Sequence, residues 1–534
     1  MNYPSRWLAP LLRFPIFGLA APATTDWDAL GQRWWSHVQY LADDRREGRD
    51  TGSRGHEQAA AYVAEQFRAA GLEPAGTSGF RQPIEFRVVR VDEPRCSLDL
   101  IHEGTTIPLR FGDDALLFLY PDSAETVEAE AVFAGYGLRV PEVGYDDFAG
   151  LDVRGKIVVA MGGGPADMPG PIKAHYQSPV ERRRTLNAAG VVGFVRILNP
   201  KSIDLPWSRW ATSRFEARMD LRDPGENLPT AIPLTVIYNT DSGPRLLQYS
   251  GHEFSEVLRA IEENRPLPHF PLRARIRARV AMSRSAVTSD NVVGVFPGSD
   301  PKLRHEYVAV SAHLDHIGIG APINGDPVYS GAMDNASGCA SLIEIARSLR
   351  DSHATPRRSI LFLAVTGEEK GLLGSQYYAA HPTVRGPIVA DVNMDMFNPL
   401  FALRYLEVQG LDESSLGDDI RAVAANAGVT VQPDHEPEHN LFIRSDQYSF
   451  IKKGVPALTF KFGYLPGSPE EQQFKEWLTV RYHAPLDDLD QPVDRAAAAR
   501  FDAILQALIL RVADADGRPE WRKDSFFRRF AKDS

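Results

Sequence analysis

From Ser289 onward the sequence repeats one pattern, short apolar runs suited to buried strands separated by stretches with helical spacing. Strand and helix patterns alternate through Val292 to Phe296, Tyr307 to Ala312, Ser341 to Leu349, Ile360 to Val365, Ile388 to Met394 and Val455 to Phe460. Strands that are apolar throughout need cover on both faces, so this alternation predicts a sheet between helical layers. In such folds the reactive side chains gather where the chain leaves the strand ends. The fold class expected is α/β: a three-layer mixed β-sheet flanked by helices.

At 534 residues the chain exceeds what one core usually supports. The first part, Trp27 to Gly76, reads as helical: Ala59, Ala60, Tyr62, Val63, Phe67 and Leu72 are apolar at helical spacing, and Gly71 supplies a stop. Residues 81–285 differ, with short β-rich runs such as Ala131 to Tyr136, Lys156 to Met161 and Val191 to Ile197 split by Gly and Pro turns. The predicted organisation is therefore one α/β domain, 26–80 with 286–515, interrupted by a β-rich insert over 81–285 and followed by a tail over 516–534.

A net charge of −11 argues against a nucleic-acid or anionic-membrane partner. The basic stretch Arg522, Lys523, Arg528 and Arg529 reads as a solvated terminal helix. Two cysteines, Cys96 and Cys339, are too few for a disulfide framework. Residues 1–25 carry Arg6, an apolar run from Phe14 to Ala20, and Ala21-Pro22-Ala23, the order of a secretory leader. An extracytoplasmic destination is the expectation, with no membrane span elsewhere.

The chemistry concentrates at the predicted strand ends. Tyr307 to Ala312 leads into His313-Leu314-Asp315-His316; pleating would put His313 and Asp315 on one side, the carboxylate near enough to orient the imidazole toward a metal, and turn His316 away. A histidine at a strand end is commonly structural, and only the later segments change that reading. Asp334 lies in Gly331-Ala332-Met333-Asp334-Asn335-Ala336-Ser337-Gly338, where small residues let the backbone turn tightly and leave both carboxylate oxygens bare; an N-cap alone would not need this. Glu368-Glu369 follows a wholly apolar strand and precedes a Gly-rich turn, so one glutamate can bind metal while its neighbour handles a proton. Asp395 sits between methionines, where a near-buried carboxylate needs a partner such as a cation. His483 adds a second imidazole, with Asp487 four residues on to fix its tautomer. The mixed N/O set His313, Asp334, Glu369, Asp395 and His483 suits zinc.

These segments resemble the di-zinc aminopeptidases of metallopeptidase clan MH, which also contains glutamate carboxypeptidases and transferrin receptors. Gly48-Arg49-Asp50-Thr51-Gly52-Ser53 and Asn291-Val292-Val293-Gly294-Val295-Phe296-Pro297-Gly298 extend the likeness to roughly 300 residues. The resemblance implies two Zn2+ ions per chain, His313 and Asp395 on one, Glu369 and His483 on the other, with Asp334 bridging. It implies catalytic roles for Glu368, as general base toward a water held between the metals, and for Asp315, and it implies a cis peptide after Asp334. The substrate implied is a peptide, cleaved at its N-terminal bond. A carboxypeptidase or glutaminyl cyclase on the same fold is the alternative, as is a non-catalytic receptor relative, although such receptors lose ligands that this chain keeps.

Within the insert, Phe133-Ala134-Gly135-Tyr136-Gly137, Tyr145-Asp146-Asp147-Phe148 and Leu151 to Val159 are similar to protease-associated domains, spanning about 125–250. The resemblance implies a lid or access role, and the insert is expected to pack over the rim of the metal cleft and contribute no ligand. Gln447 stands where many such relatives carry His, and changed substrate contacts are the expectation. The Asp434-His435-Glu436-Pro437-Glu438-His439 stretch reads as a Pro-broken acidic loop, and Cys339 as a small packing residue.

Overall fold

The computed structural model describes residues 25–203, 205–223 and 229–531. The leader-like segment therefore lies almost wholly outside the described residues. The larger sheet has ten strands, and its centre is parallel: Ser359–Val365, Tyr307–His313, Ile388–Asn393 and Ala457–Gly463 lie side by side in that order. Alternate residues feed two cores. Ile360, Phe362 and Ala364 join Val308 and Val310 beneath one helical layer, while Leu361, Leu363 and Val365 join Ala309 beneath the other.

The first layer is built from helices Trp27–Leu41, Arg54–Ala69, Ser337–Asp351 and Arg495–Asp514, whose apolar faces bring Trp34, Phe67, Ile343 and Leu505 to the sheet. Tyr378 and Phe450, from Leu373–Ala380 and Gln447–Ile451, cover the other face. Strands buried on both sides explain why the sequence reads as continuous apolar runs here. Among the described residues no helix is long and apolar enough to cross a membrane.

The second sheet has eight strands, the first Ser97–His102 and the last His269–Arg279 in sequence, with its own core around Phe133, Val159, Val195 and Ile276. Its boundaries are narrower than the sequence suggested. Arg81–Val91 and Met282–Phe296 belong to the larger sheet, where they pair antiparallel from Arg81↔Val292 to Val91↔Met282. Arg218–Leu221 also leaves the insert to pair with Arg81–Val91 at the sheet edge. Turn-rich composition marked the insert, but strands that run on through a domain boundary carry no turn there.

The C-terminal segment is another difference. Instead of a solvated helix, Phe526–Phe530 is a short 3-10 turn with Phe527 fully buried beside Tyr448, Ile443 and the insert's Ala174. Arg522 pairs with Asp418 at 2.6 Å, and Arg529 with Glu142 of the insert. Charge density dominates this stretch in sequence; its three phenylalanines decide its place.

Candidate metal centre

The central parallel strands of the larger sheet lead at their C-terminal ends into the loops that line one cleft. His313 is the last residue of its strand and is 1% exposed. Its Nδ1–H donates to the Asp315 carbonyl oxygen at 3.0 Å, which turns Nε2 toward the cleft, 3.2 Å from both Asp334 Oδ1 and Asp395 Oδ1. The Asp315 carboxylate, expected to orient His313, stands 3.9 Å from Nδ1. It instead accepts the backbone N–H groups of Glu368 and Glu369 at 3.1 and 3.3 Å and the Thr51 hydroxyl at 3.0 Å. Asp315 thus holds the paired glutamates in place.

Asp334 follows the left-handed Gly331, where a Cβ would fall 2.2 Å from the Asp334 carbonyl and 2.6 Å from the His316 ring. The Asp334–Asn335 peptide is cis. Asn335 donates to the Met394 carbonyl at 2.8 Å, tying this turn to the one that carries Asp395. The other oxygen, Oδ2, lies 3.2 Å from His483 Nε2, so each oxygen of one buried carboxylate faces a different imidazole. His483 Nε2 is also 3.4 Å from Glu369 Oε2.

Asp487 departs from expectation. It accepts the N–H groups of Met333 and Asp334, each at 2.9 Å, and an N–H of Gln491 at 2.8 Å. It therefore fixes the Asp334 backbone instead of the His483 tautomer. Spacing along the chain pointed to His483; the loop folds back so that the carboxylate meets the helix start.

His316 is the residue the sequence misplaced. The strand stops at His313, so the pleat no longer governs position 316, and the side chain swings inward. It is fully buried, with Nδ1 2.8 Å from Glu369 Oε1 and 3.8 Å from Asp334 Oδ2. Neither Nδ1 nor Oε1 has a hydrogen-bond partner of acceptable alignment. Two lone-pair atoms this close and not aligned for sharing a proton suit a common cation between them. Among the described residues two such three-donor groups occur, His313 with Asp334 and Asp395, and His316 with Asp334 and Glu369. Both draw on Asp334, and neither takes a residue from the insert.

Electrostatics favour a cation here. Burial works against protonating the imidazoles, yet Asp395 and Glu368 hold His313 well above the usual histidine range, and Glu369 and Asp334 push His483 up to about 9. Burial first, then Asp395 and Glu369, drives Glu368 well above the usual carboxylate range against the opposing His313. The cleft thus carries more negative charge than its imidazoles balance.

Residues 48–51 brace the whole arrangement. The fully buried Arg49 guanidinium donates to the carbonyls of Leu314 at 2.9 Å, Leu41 at 2.8 Å, Ser330 at 2.6 Å and Gly331 at 2.9 Å. Asp50 pairs with the buried Lys370 at 2.8 Å, and Thr51 reaches Asp315. One four-residue turn therefore grips the loops that carry His313, Asp334 and Glu369. Cys339, as expected, is a buried packing residue whose Sγ–H donates to the His313 carbonyl at 3.2 Å, and burial pushes its thiol up to about 12.

Gln447 does not reach the cleft. It is fully buried, accepts from Asn393 at 2.7 Å and donates to Phe442 at 3.0 Å, so it braces the strand before Asp395 in place of contacting substrate. The 434–439 stretch contains a 3-10 turn at Pro437–His439, with His435 3.3 Å from Glu407 and His439 3.4 Å from Glu436; it joins no three-donor group among the described residues. The cleft itself has a volume of about 530 Å³ and is bounded on one side by Asp334, Glu368, Asp395 and His483, on the other by residues of the insert.

Carboxylates and imidazoles thus gather at the parallel strand ends of a sheet flanked by helices, with donor groups suited to a metal. Residues 291–509 match the family described as Peptidase family M28. Aminopeptidase YwaD of Bacillus subtilis is 28% identical over 232 residues, covering 41% of this chain and 45% of that protein. A probable zinc metalloprotease of Pyrenophora teres f. teres is 35% identical over 252 residues, covering 44% and 50%. The chain thus spans about half the length of the curated relatives it matches. The solved aminopeptidase from Aneurinibacillus sp. strain AM-1 shares the fold, with a TM-score of 0.55 and 20% identity over 91% of this chain and 95% of that one.

Proposed function

We propose that this chain is a zinc-dependent aminopeptidase that binds two Zn2+ ions and releases the N-terminal residue of peptides. The observation that carries the reading is Asp334, whose Oδ1 faces His313 and whose Oδ2 faces His483, each at 3.2 Å. His313 and Asp395 would hold one ion and Glu369 and His483 the other, with Asp334 between them. The donor set of imidazole and carboxylate fits zinc, and the excess negative charge of the cleft fits two divalent ions. Bound zinc supplies Lewis acidity toward the scissile carbonyl and makes water a nucleophile near neutral pH. Glu368 takes the proton from the attacking water on its carboxylate and returns it to the leaving amine. Asp315, through the backbone N–H groups of Glu368 and Glu369, keeps that carboxylate at its post. The names of the curated relatives, an aminopeptidase and a zinc metalloprotease, support the same reading.

The test is hydrolysis of a panel of aminoacyl-nitroanilides and N-blocked controls by the purified chain, with metal analysis and chelator arms. Activity on free but not blocked N-termini, lost with chelator and accompanied by two zinc ions per chain, is the expected result. Release of residues from the C-terminus, or full activity with one tightly held metal, would move the assignment to a carboxypeptidase or a cyclase.

A further inference from the structure

The wall that the insert turns toward the cleft is unlike the strand-end wall. Four of its side chains place buried hydrogen-bond donors with no acceptor among the described residues: Gln177 Nε2, Arg183 Nε and Nη1, Arg196 Nε and Trp210 Nε1. All five atoms are donors, and the four side chains that carry them bound the same cavity as Glu368 and Asp395. A buried donor left unpaired costs free energy unless something binds it, so one-signed donors on one wall call for an acceptor-rich group in the cavity.

Arg196 is the centre of this wall. Its guanidinium stacks over the Trp210 ring at 5.6 Å, a contact that orients the fork without neutralising it. Burial lowers its pKa, and Arg444 across the cleft adds like-charge repulsion against the opposing influence of Tyr120. Arg183 lies over the Tyr120 ring at 4.6 Å, and its nearest carboxylate, Asp220 at 4.0 Å, is shared with Arg87 at 3.6 Å. The cavity therefore has two poles, carboxylates at the strand ends and, on the insert side, the guanidiniums of Arg183, Arg196 and Arg218 in excess of the Glu216 and Asp220 carboxylates they lie beside.

We propose that Arg196, with Arg183, Gln177 and Trp210, binds the C-terminal carboxylate of short peptides whose N-terminus is cleaved at the strand ends. This rests on the aminopeptidase reading and narrows its substrate to di- and tripeptides with a free C-terminus. A cavity of about 530 Å³ holds ligands of that size. A short zwitterionic peptide matches both poles at once. A long peptide would have to carry its carboxylate past the wall, leaving the donors unpaired.

The experiment compares kcat/KM of the zinc-loaded chain for Leu-Gly, Leu-Gly amide and Leu-Glu amide, in wild type, Arg196→Met and Arg196→Lys. Wild type is expected to prefer Leu-Gly over its amide by about tenfold or more, mainly through KM, as charge-assisted hydrogen bonds to a carboxylate are lost in the amide. Arg196→Met should bring that ratio near one, and Arg196→Lys should keep an intermediate ratio. If Arg196→Met does not fold, the wild-type ratio and Arg196→Lys decide. Equal use of Leu-Gly and its amide by wild type, or a preference that both variants keep in full, overturns the proposal. A preference for Leu-Glu amide over Leu-Gly amide without discrimination at the C-terminus assigns the wall to an acidic side chain and overturns it too. Those outcomes leave the aminopeptidase reading standing. Failure to cleave any of the three substrates, or Leu-nitroanilide, sinks that reading itself.

Discussion

Asp334 turns its two oxygens to different imidazoles, and the ligand set proposed around it leaves Glu368 free of the metals. Glu368→Gln should therefore retain both metals while lowering kcat by orders of magnitude, because the proton acceptor is lost and the donors remain. Near-normal turnover in a fully metallated variant would refute the base assignment. His316 gives a second prediction. Its Nδ1 lies 2.8 Å from Glu369 Oε1, so His316→Ala should weaken zinc binding by roughly 10- to 100-fold in chelator competition, as loss of a ligand or of its immediate partner does. Unchanged affinity would reduce His316 to packing. Of the candidates, His313, Glu368, Glu369 and Asp395 were readable because each stands at or just beyond the end of an apolar run, Asp334 because small residues surround it, and His483 only beside the others. His316 was not, since the pleat rule was carried three residues past the strand end. Asp487 was found for the wrong partner, because sequence spacing says nothing about a loop that folds back on a helix start.

The turn at residues 48–51 acts as a single part. Gly48 is left-handed, and a Cβ there would fall 2.3 Å from the Tyr329 carbonyl, so the turn can approach the Ser330 loop only with glycine. Arg49→Met would strand four buried carbonyls and should cost at least about 3 kcal/mol in a urea melt, with a matching fall in metal retention. A stable variant with intact metal content would show the clamp to be dispensable. Sequence reading caught this segment only as a resemblance, because the partners of Arg49 are backbone oxygens, which leave no signature of residue type. The strand Tyr405–Gln409 carries a pH-sensitive weakness of its own. Burial, aided by Asp434 and Glu436 against Lys461, pushes Glu407 up to about 7. A carboxyl raised in the folded state binds its proton more tightly there than when unfolded. Its contribution is therefore full below the ordinary glutamate range and is lost as pH rises through about 7. Glu407→Gln should thus gain on the order of 2 kcal/mol over wild type at pH 8 and little at pH 4, by denaturant melts at both. Equal gains at both pH values would mean that the effect is packing alone.

At the scale of the molecule, the insert is held by three attachments: the long ribbon of Arg81–Val91 with Met282–Phe296, the returning strand Arg218–Leu221, and the C-terminal turn around Phe527. Phe527→Ala should cost about 3 to 5 kcal/mol and expose the 520–531 segment and the insert to limited proteolysis before the rest of the chain. Proteolysis that starts elsewhere would argue that the turn does not join the parts. The existence of an insert was readable from the change in periodicity, whereas its edges were not, since the tethering strands continue the larger sheet without a break. The Arg49 clamp has a further consequence, for synthesis. Arg49 meets Ser330 across 281 residues, and the helix Trp27–Leu41 buries Trp34, Val38 and Leu41 against partners that come still later, in Ser337–Asp351 and Arg495–Asp514. At ribosomal rates that interval is roughly fifteen seconds to a minute. Throughout it the amino-terminal helices have made their apolar stripe but lack the later helices to lay it on, and before it ends the insert has every strand of its own core. The nascent chain must therefore be born with a folded middle and an orphaned beginning, a state that invites holding chaperones and penalises any pause in translation between the insert and the first metal-site loop.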